Sequence, residues 1–158
     1  MRKHILFVCT GNTCRSPMAE HLLRHKAGDM FDVQSAGLAA FPGQDASPEV
    51  IQLFKERQIA MKHKSQSVTE ALMDWSDLVL TMTERHRQML IDRFPDRADQ
   101  IHCLKAYVQT GDGNSGDYDI ADPFGGNSAT YARTFEEMER LITALIEKET
   151  EDEKDRAD

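Results

Sequence analysis

Short apolar runs alternate with amphipathic stretches along this chain. Ile5–Val8 and Leu78–Leu80 are apolar at every position, which is typical of strands buried on both faces of a parallel sheet. Phe31–Ser35 and Ile101–Leu104 predict a second and a fourth strand. The chain therefore contains four predicted strands, each separated from the next by enough residues for a helix.

Apolar residues at helical spacing predict the helices between these strands. A first helix begins near Pro17, which suits a first helical turn, and a second begins after Ser47 as its N-cap. Three more are predicted at Thr69–Trp75, at Glu84–Phe94 and from about Ser128 to Lys148. This alternation predicts a single-domain α/β fold, a three-layer sandwich with helices on both faces of a four-stranded parallel sheet.

The predicted fold directs attention to two loops. Ligands of such folds bind beyond the carboxyl ends of the strands, and Cys9 follows the first strand directly. Lys105–Asn127, rich in Gly and Asp, is predicted as a long irregular loop, and loops of that length are usually functional.

Composition argues against some classes of function and indicates a location. A net charge of -8 argues against nucleic-acid binding. No segment approaches the roughly 18–20 apolar residues of a membrane span, and no signal peptide is evident, so we expect a cytoplasmic protein without membrane contact. We expect residues 1–148 to form the domain and residues 149–158 an acidic, solvated tail with a fraying helix end. Nothing in the sequence indicates an oligomeric state.

The loop Cys9–Pro17 carries a cysteine, five intervening residues, an arginine and a hydroxyl residue. This spacing allows the backbone N–H groups of Thr10–Cys14 to curl around an anion, at the positive end of the first helix. The candidate phosphate-binding residues are Thr10, Gly11, Asn12, Thr13, Cys14, Arg15 and Ser16.

Cys9 is the candidate nucleophile of this loop. The helix end and Arg15 favour its thiolate form, and the Ser16 hydroxyl can stabilise that thiolate. Asn12 tolerates left-handed backbone and can brace the loop from within. The alternative is a strand-end core cysteine beside a surface arginine and a plain turn.

Asp122 is the candidate acid for protonating a leaving group. Pro123 restricts Asp122 to extended backbone, and Phe124 supplies an apolar neighbour at the mouth of a site. Taken alone, Asp-Pro is a common turn. Together with the Cys9 loop, it favours an acid.

These motifs resemble the low-molecular-weight protein tyrosine phosphatases. The resemblance rests on Cys9–Pro17, Ser35-Ala36-Gly37 and Asp122-Pro123, and it covers nearly the whole chain up to the acidic tail. It implies the strand order 2-1-3-4, Cys9 as nucleophile, Arg15 as phosphate ligand and Asp122 as general acid and then base. It further implies a bracing network of Asn12, Ser16, Ser35 and His63.

At two places the sequence departs from the family members that act on phosphotyrosine, and at both it resembles the bacterial protein arginine phosphatase branch of the family. Thr13 stands where members acting on phosphotyrosine typically carry an aliphatic residue, and Phe124-Gly125-Gly126 where they often have tyrosines. Phe41 falls where the family places an aromatic pocket wall, and with Phe124 it could sandwich a ring or a guanidinium. The resemblance thus implies hydrolysis of phosphoarginine on phosphorylated proteins through a phosphocysteine. Thr13, Phe41 and Phe124 would set substrate choice.

Four alternatives and one regulatory hypothesis accompany this interpretation. A phosphotyrosine phosphatase stays open. An arsenate reductase would need further cysteines in a flexible downstream segment to relay the oxidation, and Cys103 lies instead in a predicted buried strand. A phosphocysteine carrier or a phosphate-binding module would not need Asp122. We expect no cofactor and no metal, because the histidines show no paired ligand spacing. Cys9 and Cys14 could form a reversible protective disulfide.

Overall fold

The computed structural model describes residues 2–109 and 118–157, without the side chains of residues 153–157. Its centre is a parallel sheet of β1 (Lys3–Cys9), β2 (Phe31–Gly37), β3 (Leu78–Thr81) and β4 (Ile101–Cys103). The spatial order is β2-β1-β3-β4, and every neighbouring pair is parallel. Both the parallel sheet and its predicted order are confirmed.

Six α-helices are found in the described residues. They are α1 (Arg15–Ala27), α2 (Pro48–Glu56), α3 (Glu70–Trp75), α4 (Glu84–Arg93), α5 (Leu104–Val108) and α6 (Ser128–Ala157). A 3-10 helix at Pro95–Gln100 follows α4, because Pro95 cannot continue the α-helical hydrogen-bond pattern. None of these helices is long and apolar enough to cross a membrane.

Strand β1 separates two apolar layers because its side chains alternate between the faces of the sheet. Ile5 and Phe7 pack with the buried residues of α1, α2 and α6, whereas Leu6 and Val8 pack with those of α3 and α4. All four side chains are fully buried. The three-layer sandwich predicted from the apolar runs is therefore confirmed.

Gly37 is the last residue of β2 and packs against the loop that follows β1. It pairs in register with Cys9, and a Cβ atom at this position would lie 2.5 Å from the Thr10 carbonyl oxygen. Only glycine permits this approach without a shift of the backbone. The end of β2 thus packs directly against the residues after Cys9.

The structure differs from the sequence predictions at two segments. The predicted irregular loop from Lys105 begins instead as helix α5, because Leu104 is buried in the core, while residues 110–117 of that loop lie outside the described residues. Helix α6 continues to Ala157 rather than ending near Lys148. Glu149 is buried and accepts hydrogen bonds from Lys3 (2.7 Å) and the Tyr107 hydroxyl (2.5 Å). The expectation of a solvated tail from residue 149 is therefore wrong at Glu149.

Candidate active site

A cavity opens at the carboxyl end of β1. It is lined by Cys9, Thr10, Gly11, Thr13, Cys14, Arg15, Asp122 and Phe124. The first six come from the segment that runs from the last residue of β1 to the first residue of α1, and the last two lie in the connection between α5 and α6. Two segments more than a hundred residues apart therefore form one site at the edge where ligands of parallel α/β folds bind.

The loop carbonyl groups are held by donors outside this cavity. The carbonyl oxygens of Cys9, Thr10, Asn12 and Thr13 accept hydrogen bonds of 2.7–2.9 Å from Leu38 N, Ala39 N, His63 Nε2 and Ser47 N respectively. In a planar trans peptide the C=O and the following N–H point in opposite directions. The N–H groups of Thr10, Gly11, Thr13 and Cys14 are consequently directed inward, which is the arrangement of an anion nest.

A directed chain of hydrogen bonds ends on the Cys9 thiol. Asn12 Nδ2 can only donate, and it contacts the hydroxyl oxygens of Ser16 (2.9 Å) and Ser35 (2.8 Å). The Ser16 proton is then free to point at Cys9 Sγ, 2.9 Å away, and the Ser35 proton at the Glu20 carboxylate, 2.5 Å away. Ser16 is thus oriented as a donor to the Cys9 sulfur.

Asn12 itself is fixed on both sides. Its φ of 58° is left-handed, and its Oδ1 accepts from the Gln66 N–H (2.9 Å), which determines the orientation of the amide. His63 donates to its carbonyl, and His63 Nδ1 lies 3.4 Å from His21 Nε2. Burial lowers the pKa of His21 to about 4, so this ring is neutral at pH 7. Because Arg24 donates to His21 Nδ1 (3.2 Å), the His21 proton lies on Nε2 and points at His63.

Arg15 and Asp122 meet at the opposite side of the cavity. Arg15 is buried, donates to the Ile120 carbonyl (2.9 Å) and lies 3.5 Å from an Asp122 oxygen. The Asp122 side chain is 52% exposed, and its other oxygen accepts from the Phe124 N–H (3.1 Å). Cys9, Arg15 and Asp122 therefore line one cavity, with the carboxylate at its solvent-facing rim.

The three residues expected to set substrate choice are only partly brought together. Thr13 and Phe124 line the cavity, and the Phe124 ring is 78% exposed at its mouth. Phe41 is also largely exposed, at 75%, but it is not among the residues that line the cavity. Of the two aromatic residues predicted to form pocket walls, Phe124 lines the cavity and Phe41 does not.

Three residues of the site were missed by the sequence analysis. Glu20 lies one helical turn after Ser16, a spacing that could have identified it. His86 is buried and contacts the Thr10 hydroxyl through Nε2 (2.9 Å), and its pKa is lowered to about 4 by burial and then by Arg15. Nothing in the sequence near His86 indicates this contact, which depends on the packing of α4.

The third missed residue, Tyr131, lies against Cys14. Its hydroxyl is 3.7 Å from the Cys14 sulfur, and the Ser47 hydroxyl is 3.5 Å from the same atom. Burial is the main cause that raises the pKa of Tyr131 to about 12, so the phenol keeps its proton at neutral pH. The buried Cys14 thiol therefore lies between two hydroxyl groups and donates to the Ser47 oxygen.

Comparison with known proteins agrees with this geometry. The family model described as low molecular weight phosphotyrosine protein phosphatase matches residues 4–156. A protein-arginine-phosphatase of Geobacillus stearothermophilus is 44% identical over 94% of this chain and 97% of its own length. A low molecular weight protein-tyrosine-phosphatase, PtpB of Staphylococcus haemolyticus, is 41% identical over 89% of this chain and 96% of its own. The solved structure of the YwlE arginine phosphatase from G. stearothermophilus covers 97% of this chain and 96% of its own at 42% identity, with a TM-score of 0.89.

Proposed function

The chain belongs to the low molecular weight phosphotyrosine protein phosphatase family, and from that premise we propose that it hydrolyses phosphoarginine on proteins through a phosphocysteine on Cys9. It is a cysteine-dependent phosphatase like its relatives. The observation that carries the proposed mechanism is the meeting of Cys9, Arg15 and Asp122 in one cavity. Phosphorylated proteins in the cytoplasm are the proposed substrates.

In the first step, the Cys9 thiolate attacks phosphorus while the bond to the leaving group breaks. The inward N–H groups of the loop and the Arg15 guanidinium bind the phosphoryl oxygens and stabilise their charge in the transition state. Asp122 gives its proton to the departing guanidine nitrogen. The products are a free arginine side chain and phosphocysteine.

In the second step, water attacks the phosphocysteine. Asp122, now a carboxylate at the rim of the cavity, takes a proton from that water, and phosphate leaves as the S–P bond breaks. The Cys9 sulfur departs as a thiolate. The Ser16 hydroxyl, 2.9 Å from that sulfur and oriented by Asn12, stabilises the leaving thiolate.

Thr13 and Phe124 support phosphoarginine as the substrate. Phosphoarginine carries N–H donors just beyond the phosphate, and the Thr13 hydroxyl can accept one of them, whereas a phosphotyrosine ring offers no donor. Phe124, exposed at the mouth, can stack on a guanidinium plane. Relatives named protein-arginine-phosphatases, which match at 44% and 42% identity, agree with this choice.

The geometry of the site also bears on three other functions. A phosphotyrosine phosphatase is supported by the relatives named PtpB, of which one is 41% identical. A phosphocysteine carrier or phosphate-binding module needs no proton donor, so the position of Asp122 beside Arg15 disfavours both.

The deciding experiment compares kcat/KM on phosphoarginine and phosphotyrosine peptides. Thr13→Val replaces the hydroxyl by a methyl group of similar size, and Thr13→Ile replaces it by an ethyl group. Because burying a hydroxyl without a partner costs about 1–3 kcal/mol, we expect both variants to lose activity on phosphoarginine and gain it on phosphotyrosine. The combined change in the ratio should be about tenfold or more, since about 1.4 kcal/mol is one decade.

A second threonine of the loop provides the control. The Thr10 hydroxyl bonds to His86, which does not line the cavity, so Thr10→Val should change both rates in the same proportion. Wild type preferring phosphotyrosine, or a ratio unaffected at Thr13, would replace the arginine assignment by the tyrosine one.

A further inference from the structure

A cluster of three ligand-type side chains lies beneath the phosphate loop. Glu20, His21 and His63 place one carboxylate and two imidazoles within 4.8 Å of one another. His21 Nε2 is 3.4 Å from His63 Nδ1 and 3.8 Å from a Glu20 oxygen, and His63 Nδ1 is 3.8 Å from the other oxygen. We propose that this cluster, here called the inner cluster, is a binding site for Zn²⁺.

The spacing of the inner cluster fits tetrahedral coordination. Zinc bonds of about 2.0–2.2 Å to nitrogen and oxygen place two tetrahedral ligand atoms about 3.3–3.6 Å apart. The 3.4 Å between His21 Nε2 and His63 Nδ1 lies in this range. One Glu20 oxygen lies within 4.8 Å of both nitrogens, and rotation of the Glu20 side chain would bring it to bonding distance of the same ion. Two histidines and one carboxylate are also a ligand set that zinc sites use, with a fourth position left for water.

The groups around the inner cluster are those that orient zinc ligands. A ligating histidine generally donates its other ring N–H to a carbonyl or carboxylate, and a ligating carboxylate is itself hydrogen-bonded. His63 donates Nε2–H to the Asn12 carbonyl at 2.7 Å, and Ser35 donates to Glu20 at 2.5 Å. These orienting hydrogen bonds therefore exist already in the folded chain, and the one from His63 Nε2 keeps Nδ1 of His63 available as a ligand.

Arg24 would compete with a metal ion for Glu20 and His21. Its guanidinium donates to a Glu20 oxygen (2.7 Å) and to His21 Nδ1 (3.2 Å), so it occupies the place of a cation. The Arg24 side chain is 47% exposed and can turn into solvent. When it leaves, the His21 proton moves from Nε2 to Nδ1, and Nε2 becomes a neutral ligand with no net loss of a proton.

A surface cavity borders the inner cluster at His63. His63 is among the residues that line it, together with Asp45, Met61 and Lys64. This cavity can admit the hydrated ion and supply water as a fourth ligand. No metal site was expected from the sequence, because the histidines show no paired ligand spacing. His21 and His63 are 42 residues apart, and it is the fold that places their rings in contact.

Co²⁺ substitution tests the site directly, independently of phosphatase activity. The protein is the full chain with Cys9→Ser, which removes the active-site thiolate as a competing ligand. Titration with Co²⁺ should give the intense visible absorption of tetrahedral cobalt, without a thiolate charge-transfer band, saturating at one equivalent and abolished by Zn²⁺. Absence of that absorption, or a thiolate band in its place, would overturn the proposal.

Three variants locate the site. His21→Gln should remove the cobalt absorption, while His25→Gln, on the exposed face of the same helix, should retain it. Arg24→Met should tighten binding tenfold or more, because the competing cation is gone. The Arg24 variant keeps every ligand, so it tests the site even where His21→Gln folds poorly. An Arg24→Met affinity equal to that of the parent would contradict the proposal, as would retention of binding by a folded His21→Gln protein.

Discussion

Replacement of Asn12 tests whether the phosphate loop is held by one side chain and one unusual backbone conformation. Asn12 is fully buried and left-handed, with φ of 58°. Its amide makes three hydrogen bonds, to Ser16, Ser35 and Gln66. Asn12→Ala removes all three and places a Cβ-bearing residue without local hydrogen bonds in the left-handed region. Asn12→Gly removes the same three bonds without that strain.

The magnitudes follow from these contacts. Three hydrogen bonds at about 1 kcal/mol net each make about 3 kcal/mol of unfolding free energy. Left-handed backbone costs alanine roughly a further 1–2 kcal/mol. Glycine is ordinarily about 0.5–1 kcal/mol worse than alanine, because it loses more backbone freedom on folding. At this position the order should reverse, with Asn12→Ala destabilised by about 4–5 kcal/mol and Asn12→Gly by about 3.5–4 kcal/mol.

Urea unfolding followed by circular dichroism measures both variants. Gln58 is the control, since it is exposed and has φ of 57°. Gln58→Gly should also be more stable than Gln58→Ala, but both should lie within about 1.5 kcal/mol of wild type, since little besides the backbone term changes. If Asn12→Ala is more stable than Asn12→Gly, or if both Asn12 variants behave like the Gln58 pair, Asn12 does not hold the loop in this way.

Four further outcomes are expected. Cys9→Ser should abolish turnover of p-nitrophenyl phosphate while phosphate still binds by calorimetry, and Asp122→Asn should lose roughly 10²–10⁴-fold in kcat, most with poor leaving groups. Substantial turnover by Cys9→Ser would exclude the phosphocysteine. Cys14→Ser should recover less activity than wild type after peroxide and then reductant, and equal recovery would exclude a protective Cys9–Cys14 disulfide. The pKa values of His21 and His86 lie at about 4 in the fold, below the ordinary 6.5, so the unfolded chain binds more protons between these values. Unfolding free energy should therefore be complete above pH 6.5 and fall as the pH drops towards 4, by up to about 1.4 kcal/mol per pH unit for each histidine, and His86→Gln should reduce that slope.

The parts of the fold that local sequence determines were predictable. Ile5–Val8 is apolar at every position because β1 is buried on both faces, and the run alone indicates a central parallel strand. The loop after Cys9 was equally predictable from the sequence, since an anion nest is formed by consecutive residues of the chain. Asp122 became recognisable only beside that loop, because Asp-Pro on its own is a common turn.

The parts that depend on distant contacts were not predictable. Glu149 belongs to a run of charges that suggests solvent, yet Lys3 at the other end of the chain pairs with it and makes its burial favourable. His86 carries no pattern that marks it, since its contact with Thr10 spans 76 residues. The inner cluster is similar, because His63 stands among polar residues typical of a surface loop. In each case the partner lies on another helix, strand or loop, and the sequence alone does not show which of these elements are in contact.

The shape of the phosphate loop is determined largely by residues outside its signature. The inward direction of its N–H groups follows from carbonyl bonds donated by Leu38, Ala39, Ser47 and His63, which come from three separate segments. Cysteine and arginine at the right spacing supply the nucleophile and the charge, but they do not orient the peptide planes between them. Proteins sharing the signature can therefore differ in the precision of the nest, according to what supports these carbonyls. Here His63 links that support to the inner cluster, so a cation bound by Glu20, His21 and His63 would act on the loop through the same Asn12 carbonyl.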